Sequence, residues 1–423
     1  MQVLIMNITN QTVTGAGINP LMQLFAHGFR PFFLLFGIFG ALLVLLWVGA
    51  LLLGWQLPVG VYLVGWHAHE MLYGLVPAAI AGFLLTAITN WTPATPVNNM
   101  PLAGLVGLWL AGRLALFFSA PLMAAGIPYY LLAAIDIAFL PVIACYVALT
   151  LIKFNNRRNL ILVAILVMLT AGNTAMHIGL AQLDTQWIKA GQALGFDVIT
   201  VMIVIIAGRI TPAFSRNWLK ARTAHTPLHA HYTQPDAIAA TPWVSKLAIG
   251  STVALVVLDL IVPNHPLIFY VAGVAGLSNL LRLIQWKGWL VLGEPLLWIL
   301  HLAYLWLVVA LITRCAAGFS PAISDSAWQH LLGVGAIGTI ILGVITRVCL
   351  GHTGRPLTLP RFAIGIYISI TLAALLRFAV VMGWVDFRVG LAIAATMWVV
   401  ACALFVIIYA PILFSARADG RTG

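Results

Sequence analysis

The chain carries eleven histidines, and they are the residues best suited to chemistry. Trp66-His67-Ala68-His69-Glu70 places two imidazoles two residues apart, while His177, His301, His330 and His352 occur singly in or beside long apolar runs. Imidazole is a good ligand for iron and copper, and facing helices of a bundle can hold a metal cofactor between them. Residues i and i+2 of a helix lie ~200° apart around its axis. His67 and His69 are therefore not expected to share one metal. Either each serves a different cofactor, or one is a ligand and the other faces a neighbour. Glu70 follows His67 by three residues and is expected to orient that ring as an acceptor. Arg113 and Arg377 also lie within apolar runs. A buried guanidinium needs an anion, which is either an acidic arm of a haem or a membrane carboxylate such as Asp136.

The elements that position these groups follow from composition. Of the 423 residues 62% are hydrophobic and only 7% charged, against about 25% charged in soluble domains. Apolar runs long enough to cross a bilayer fall at roughly 32–53, 62–89, 101–118, 128–152, 159–181, 194–212, 243–262, 266–285, 295–313, 326–349, 361–383 and 388–413. Backbone groups in hydrocarbon must satisfy one another, and no alternating barrel pattern is present. The fold class is thus all-α, a single polytopic membrane domain of about twelve helices. The excess of basic residues then marks one membrane side rather than a nucleic-acid partner. Sixteen of the 21 Lys and Arg fall on or near the side of the chain termini, the others being Arg113, Lys189, Arg314, Arg377 and Arg388. This predicts cytoplasmic N and C termini. Residues 213–242, with His225, His229 and His231, read as a solvated cytoplasmic linker between two six-helix halves. Cys145, Cys315, Cys349 and Cys402 show no CxxC spacing and read as packing residues.

Helix direction assigns depth. His67, His69, His177 and His330 share the layer opposite the termini, His27 and His352 lie at the terminal side, and His301 lies between that side and the middle. His265 sits in a short turn and is given no role. The stripe His69, Gly74, Ala78, Gly82 recurs in the same steps as His330, Gly335, Thr339, Gly343. With Ala207-Gly208-Arg209 as a weaker third member, helices 2, 6 and 10 are expected to be equivalent, giving three four-helix units as in haem-copper oxidases.

HGFRPFFLL at 27–35, WHAHEMLYG at 66–74, AGRITPAF at 207–214 and GHTGRP at 351–356 carry a resemblance to the NnrS family, and it extends to the last helix. The resemblance implies a bacterial inner-membrane protein with haem, b-type by expectation, and copper, linked to nitric oxide and denitrification. It implies His67, His69, His177, His301, His330 and His352 as the metal ligand set. The sequence does not identify the electron donor, for which a quinone and a periplasmic protein are the two candidates. An oxidase-type centre would need six histidines at one depth, and only four are found there. The other function class is a twelve-helix transporter or metal-handling protein, with His, Arg113, Arg377, Asp136 and Asp259 lining a substrate path. A sensor or assembly factor without turnover would present the same ligands.

Overall fold

A computed structural model describes residues 19–225 and 238–420, so His229 and His231 lie outside the described residues. Twelve helices are long and apolar enough to span a membrane: α1 Phe29–Leu53, α2 Leu63–Trp91, α3 Asn99–Phe117, α4 Tyr129–Lys153, α5 Arg157–Gln182, α6 Thr185–Arg222, α7 Pro242–Ile261, α8 Leu267–Gln285, α9 Pro295–Ala317, α10 Asp325–His352, α11 Ile364–Val381 and α12 Phe387–Leu413. No strand occurs among the described residues. The sixth helix departs most from expectation. It continues through Pro212 to His225, so the first part of the expected linker is helical. Its proline ring is tolerated because helices on either side hold the span in place.

Consecutive helices pack against one another, and α12 closes the ring against α1. Helices α2, α6 and α10, four apart in the chain, turn inward. Their Ile80, Ile203, Ile206, Ile340 and Val344 line a narrow apolar void of about 80 Å³. The span of α2 is 83% buried, whereas those of α7 and α12 are 33% buried and leave most of their surface to lipid. We call the side bearing the described chain ends the terminal face, and the other the distal face.

The His69 and His330 stripes share a backbone feature. Immediately after each histidine the helix widens into a π-turn, Glu70–Leu75 in α2 and Leu331–Gly338 in α10. Such π segments are concentrated at functional sites. In α2 the cause is legible: Pro77 has no N–H to give the Tyr73 carbonyl, and its ring crowds that turn. The Trp109 indole N–H caps the widened turn by donating to the Gly74 carbonyl at 2.9 Å. Helix α6 is α-helical throughout, so the weakest member of the expected trio occupies the equivalent place without the π-turn.

Small residues set the helix spacing. A Cβ on Gly82 would lie 2.6 Å from the Phe33 ring of α1, which is itself fully buried. Gly82→Ala is therefore expected to cost about 1–3 kcal/mol through overpacking, read as a lower midpoint in thermal unfolding of the detergent-solubilised protein. Gly104→Ala, whose Cβ would meet nothing within 4 Å, is the control that leaves the midpoint unmoved.

Candidate metal and cofactor centres

The four distal histidines separate into two centres, because one turn of α2 points its two imidazoles in different directions. His69 faces α4 and α5. Its Nδ1–H donates to Glu70 Oε1 at 3.2 Å, and its Nε2 lies 2.7 Å from Asn173 Oδ1 and 3.2 Å from Asp136 Oδ2. His177 Nε2 donates to the same Asp136 oxygen at 2.9 Å. Ligand atoms of His69, Asp136 and His177 all lie within 4.8 Å of one another, and all three residues are buried. A group so placed could hold one metal ion through two nitrogens and an oxygen. The outer partners match those that orient ligating histidines: Glu70 holds the far nitrogen of His69, and the Tyr129 hydroxyl lies 2.9 Å from His177 Nδ1. Asn173 sits one turn before His177 on α5, and its amide N–H donates to Asp136 at 2.9 Å.

Arg113 of α3 completes this centre. It ion-pairs with Glu70 Oε2 at 3.1 Å and with Asp136 Oδ1. Of the two partners expected for it, the carboxylates are the ones it has. In so apolar a setting the guanidinium and two carboxylates are each too costly to bury alone. The same attraction corrects the expectation for Glu70. It does not orient His67, because Arg113 and His69 draw its carboxylate to their side of the helix. Gly74 makes room for this pairing, since a Cβ there would lie 2.6 Å from Glu70 Oε2 and against Arg113.

His67 faces the opposite way, into a cavity of about 400 Å³ lined by α1, α2, α6, α10, α11 and α12. Its ring stacks on Trp47 with centroids 4.4 Å apart, and its buried Nδ1 has no hydrogen-bond partner. His330 lines the same cavity from α10. Its Nδ1 lies 2.7 Å from the Ser326 carbonyl and so donates to it, which leaves Nε2 free to act as a ligand. Arg377 of α11 lines the cavity too and makes no ion pair among the described residues. His67, His330 and Arg377 lie within electrostatic range of one another. The remaining wall is chiefly apolar and aromatic, with Trp398 and Phe196 prominent.

The other two expected ligands lie apart from both centres. His301, in the terminal third of α9, has Nε2 3.1 Å from Ser215 Oγ and a buried, unpartnered Nδ1 beneath Gly288. His352 ends α10 at the terminal face, where its ring lies 5.7 Å from that of Phe29. His27 also stacks on Phe29, with ring centroids 6.1 Å apart. Burial, reinforced by the charges of Arg30, His352 and Arg417, holds His27 down to about 4, so it is neutral at physiological pH. Two contributors were not singled out in the sequence: Asn173 and Tyr129. Asn173 could have been found as a polar residue inside an apolar run, whereas Tyr129 gives no signal at the end of a span.

Fold and site together define a polytopic helical membrane protein with two buried histidine centres in one layer. The family model described as NnrS protein matches residues 23–417, nearly the whole chain. The chain belongs to the NnrS family. No curated protein matches it.

Proposed function

We propose that this is a haem- and copper-containing protein of the bacterial inner membrane that binds, reduces or otherwise relieves nitric oxide, with both termini cytoplasmic. The observation that carries the reading is the cavity bearing His67, His330 and an Arg377 without a carboxylate partner. Its volume falls within the ~300–1,000 Å³ of small-molecule sites. The unpartnered His67 Nδ1 and the tethered His330 leave ring nitrogens for an iron, and Arg377 suits an acidic side arm of the cofactor. A haem held there would supply binding of a diatomic gas if one of the two imidazoles ligated it, and electron transfer if both did. His69, His177 and Asp136 would hold the copper.

The protein's own residues set the conditions for either outcome. Trp47 fixes the plane of the His67 ring and the Ser326 carbonyl fixes the His330 tautomer, so neither imidazole has to reorganise on binding. Helices α1 and α12 contribute Phe36, Val44, Leu391 and Trp398 to the cavity wall. The purely apolar void between α2, α6 and α10 shares Val76, Ile337 and Ile341 with the cavity wall. Such a lining suits a small apolar gas and offers nothing to a hydrated ion. This favours gas chemistry over the transport of a polar solute. The basic residues concentrated at the terminal face support the cytoplasmic placement of the termini, and the distal layer would then receive electrons from a quinone or a periplasmic donor.

Redox difference spectra of the purified protein, taken with and without nitric oxide and paired with iron and copper analysis, test the reading. A stoichiometric haem whose spectrum responds to nitric oxide is expected, and protein purified without haem or iron overturns it. Tyr129→Phe removes the hydroxyl beside His177 while leaving the three ligands in place. Copper affinity is expected to fall about 10–100-fold, measured by competition with a chromophoric chelator, with haem content unchanged.

A further inference from the structure

A third buried polar cluster lies in the same layer, on the other side of the cavity wall. Arg314, at the distal end of α9, donates from Nη1 to Asp197 Oδ1 of α6 at 2.7 Å and from Nη2 to Asp259 Oδ2 of α7 at 2.5 Å. One guanidinium thus faces two carboxylates, and the trio sums to −1 if both are ionised. Asp197 is 4% exposed and its Oδ2 has no hydrogen-bond partner. The acceptor that lies near it is the Asp259 carboxyl. Among the described residues, the other titratable group facing Asp197 is Tyr73 of α2, whose hydroxyl donates to the Gly191 carbonyl at 2.5 Å. Among the described residues no second cation pairs with either carboxylate. An uncompensated charge in hydrocarbon is costly, and two carboxylates sharing one site do not both ionise.

We propose that Asp197 and Asp259 share a single proton under the Arg314 clamp, and that the pair is a proton store beside the cavity, filled from the distal face. Two placements give it that role. Asp259 lies two residues before the distal end of α7, and its side chain is 14% exposed, so it is the member that meets water. Asp197 adjoins Phe196, which lines the cavity and packs on Trp328, two residues before His330. Phe196 and Trp328 pack edge to face at 5.7 Å, and Trp328 also lies beneath Arg314 at 4.5 Å. Service to the cavity rests on the redox reading above, whereas the shared proton does not.

Infrared spectroscopy of the full-length protein tests the proposal without needing any cofactor. The carbonyl stretch of a protonated carboxylic acid is expected at neutral pH, and it should shift on transfer to D2O as the proton exchanges through Asp259. Charge balance makes a sharper demand. Asp197→Asn and Asp259→Asn each leave one carboxylate on one guanidinium, a neutral pair that needs no proton. Either substitution alone is therefore expected to remove this pair's share of the band in a variant-minus-parent difference spectrum, leaving any share from the Arg113, Glu70 and Asp136 cluster, and both variants are expected to fold. A spectrum in this region that either folded variant leaves unchanged overturns the shared proton. A band that fails to shift in D2O over hours overturns the connection to the distal face. Loss of haem from the parent protein with the band intact would reject the redox reading and leave the proton site standing.

Discussion

Replacing His67 by alanine is expected to abolish haem retention while the protein stays folded. The two effects separate because of what the side chain touches. His67 has no hydrogen bond at Nδ1, and its principal neighbour is the Trp47 face. Losing one stacked pair costs about 0.5–1.5 kcal/mol beyond the area removed, which a twelve-helix bundle can absorb. His330→Ala distinguishes the two ligation states. Complete loss in both variants indicates that the cofactor needs both imidazoles, as in an electron-transfer haem. Retention in His330→Ala with the parent's ligation spectrum would indicate that His67 alone ligates the iron and that a position is left for gas. The measurement is the haem-to-protein ratio after purification, with thermal unfolding as the control for folding. Full haem content in both variants would refute the cavity assignment. His301→Ala and His352→Ala are expected to leave the ratio unchanged, since neither residue reaches the cavity.

The second large effect is on stability. Arg113→Leu is expected to destabilise the protein by about 3–5 kcal/mol, the usual cost of removing one partner from a buried ion pair. Arg113 is 6% exposed, and its loss leaves Glu70 and Asp136, at 1% and 3%, without their guanidinium. The size of the effect reflects the stranded charges more than the value of the bridge itself. Combining it with Asp136→Asn should recover a good part of the loss, because the double variant buries one uncompensated carboxylate fewer. A midpoint for Arg113→Leu within error of the parent would show that the cluster is not ionised as drawn. The same double variant should lose the copper whatever its stability, because Asp136 is one of the three converging ligands.

Much of the layout was legible in the chain. Apolar length alone placed eleven of the twelve spans to within a few residues, since a bilayer leaves the backbone little choice but helix. The exception was α6, whose polar end at Ser215, Arg216 and Lys220 carries no hydrophobic signal yet remains helical beyond the apolar run. Depth was equally readable. Helix direction put His67, His69, His177 and His330 in one layer, and the i, i+2 spacing separated His67 from His69. The spacing could not say who would stand opposite each ring. Glu70 was assigned to His67 by helical spacing, and the structure gives it to His69.

The sequence by itself determined that this protein lives in a membrane, how many times it crosses, and which polar residues share a depth. Those properties are set by the solvent and by position along a helix, both of which are local. Only the tertiary structure decided the pairing. Whether Arg113 meets a carboxylate, whether His330 meets His67 across a cavity, and whether Asp197 meets Asp259 depend on the rotation of each helix about its axis and on which helices adjoin. Rotation is fixed by packing: the Gly82–Phe33 contact, the π-turns after His69 and His330, and the closure of α12 on α1. An ion buried in hydrocarbon is tolerated only beside its partner, so those packing choices also settle which of the scarce charged residues form a site.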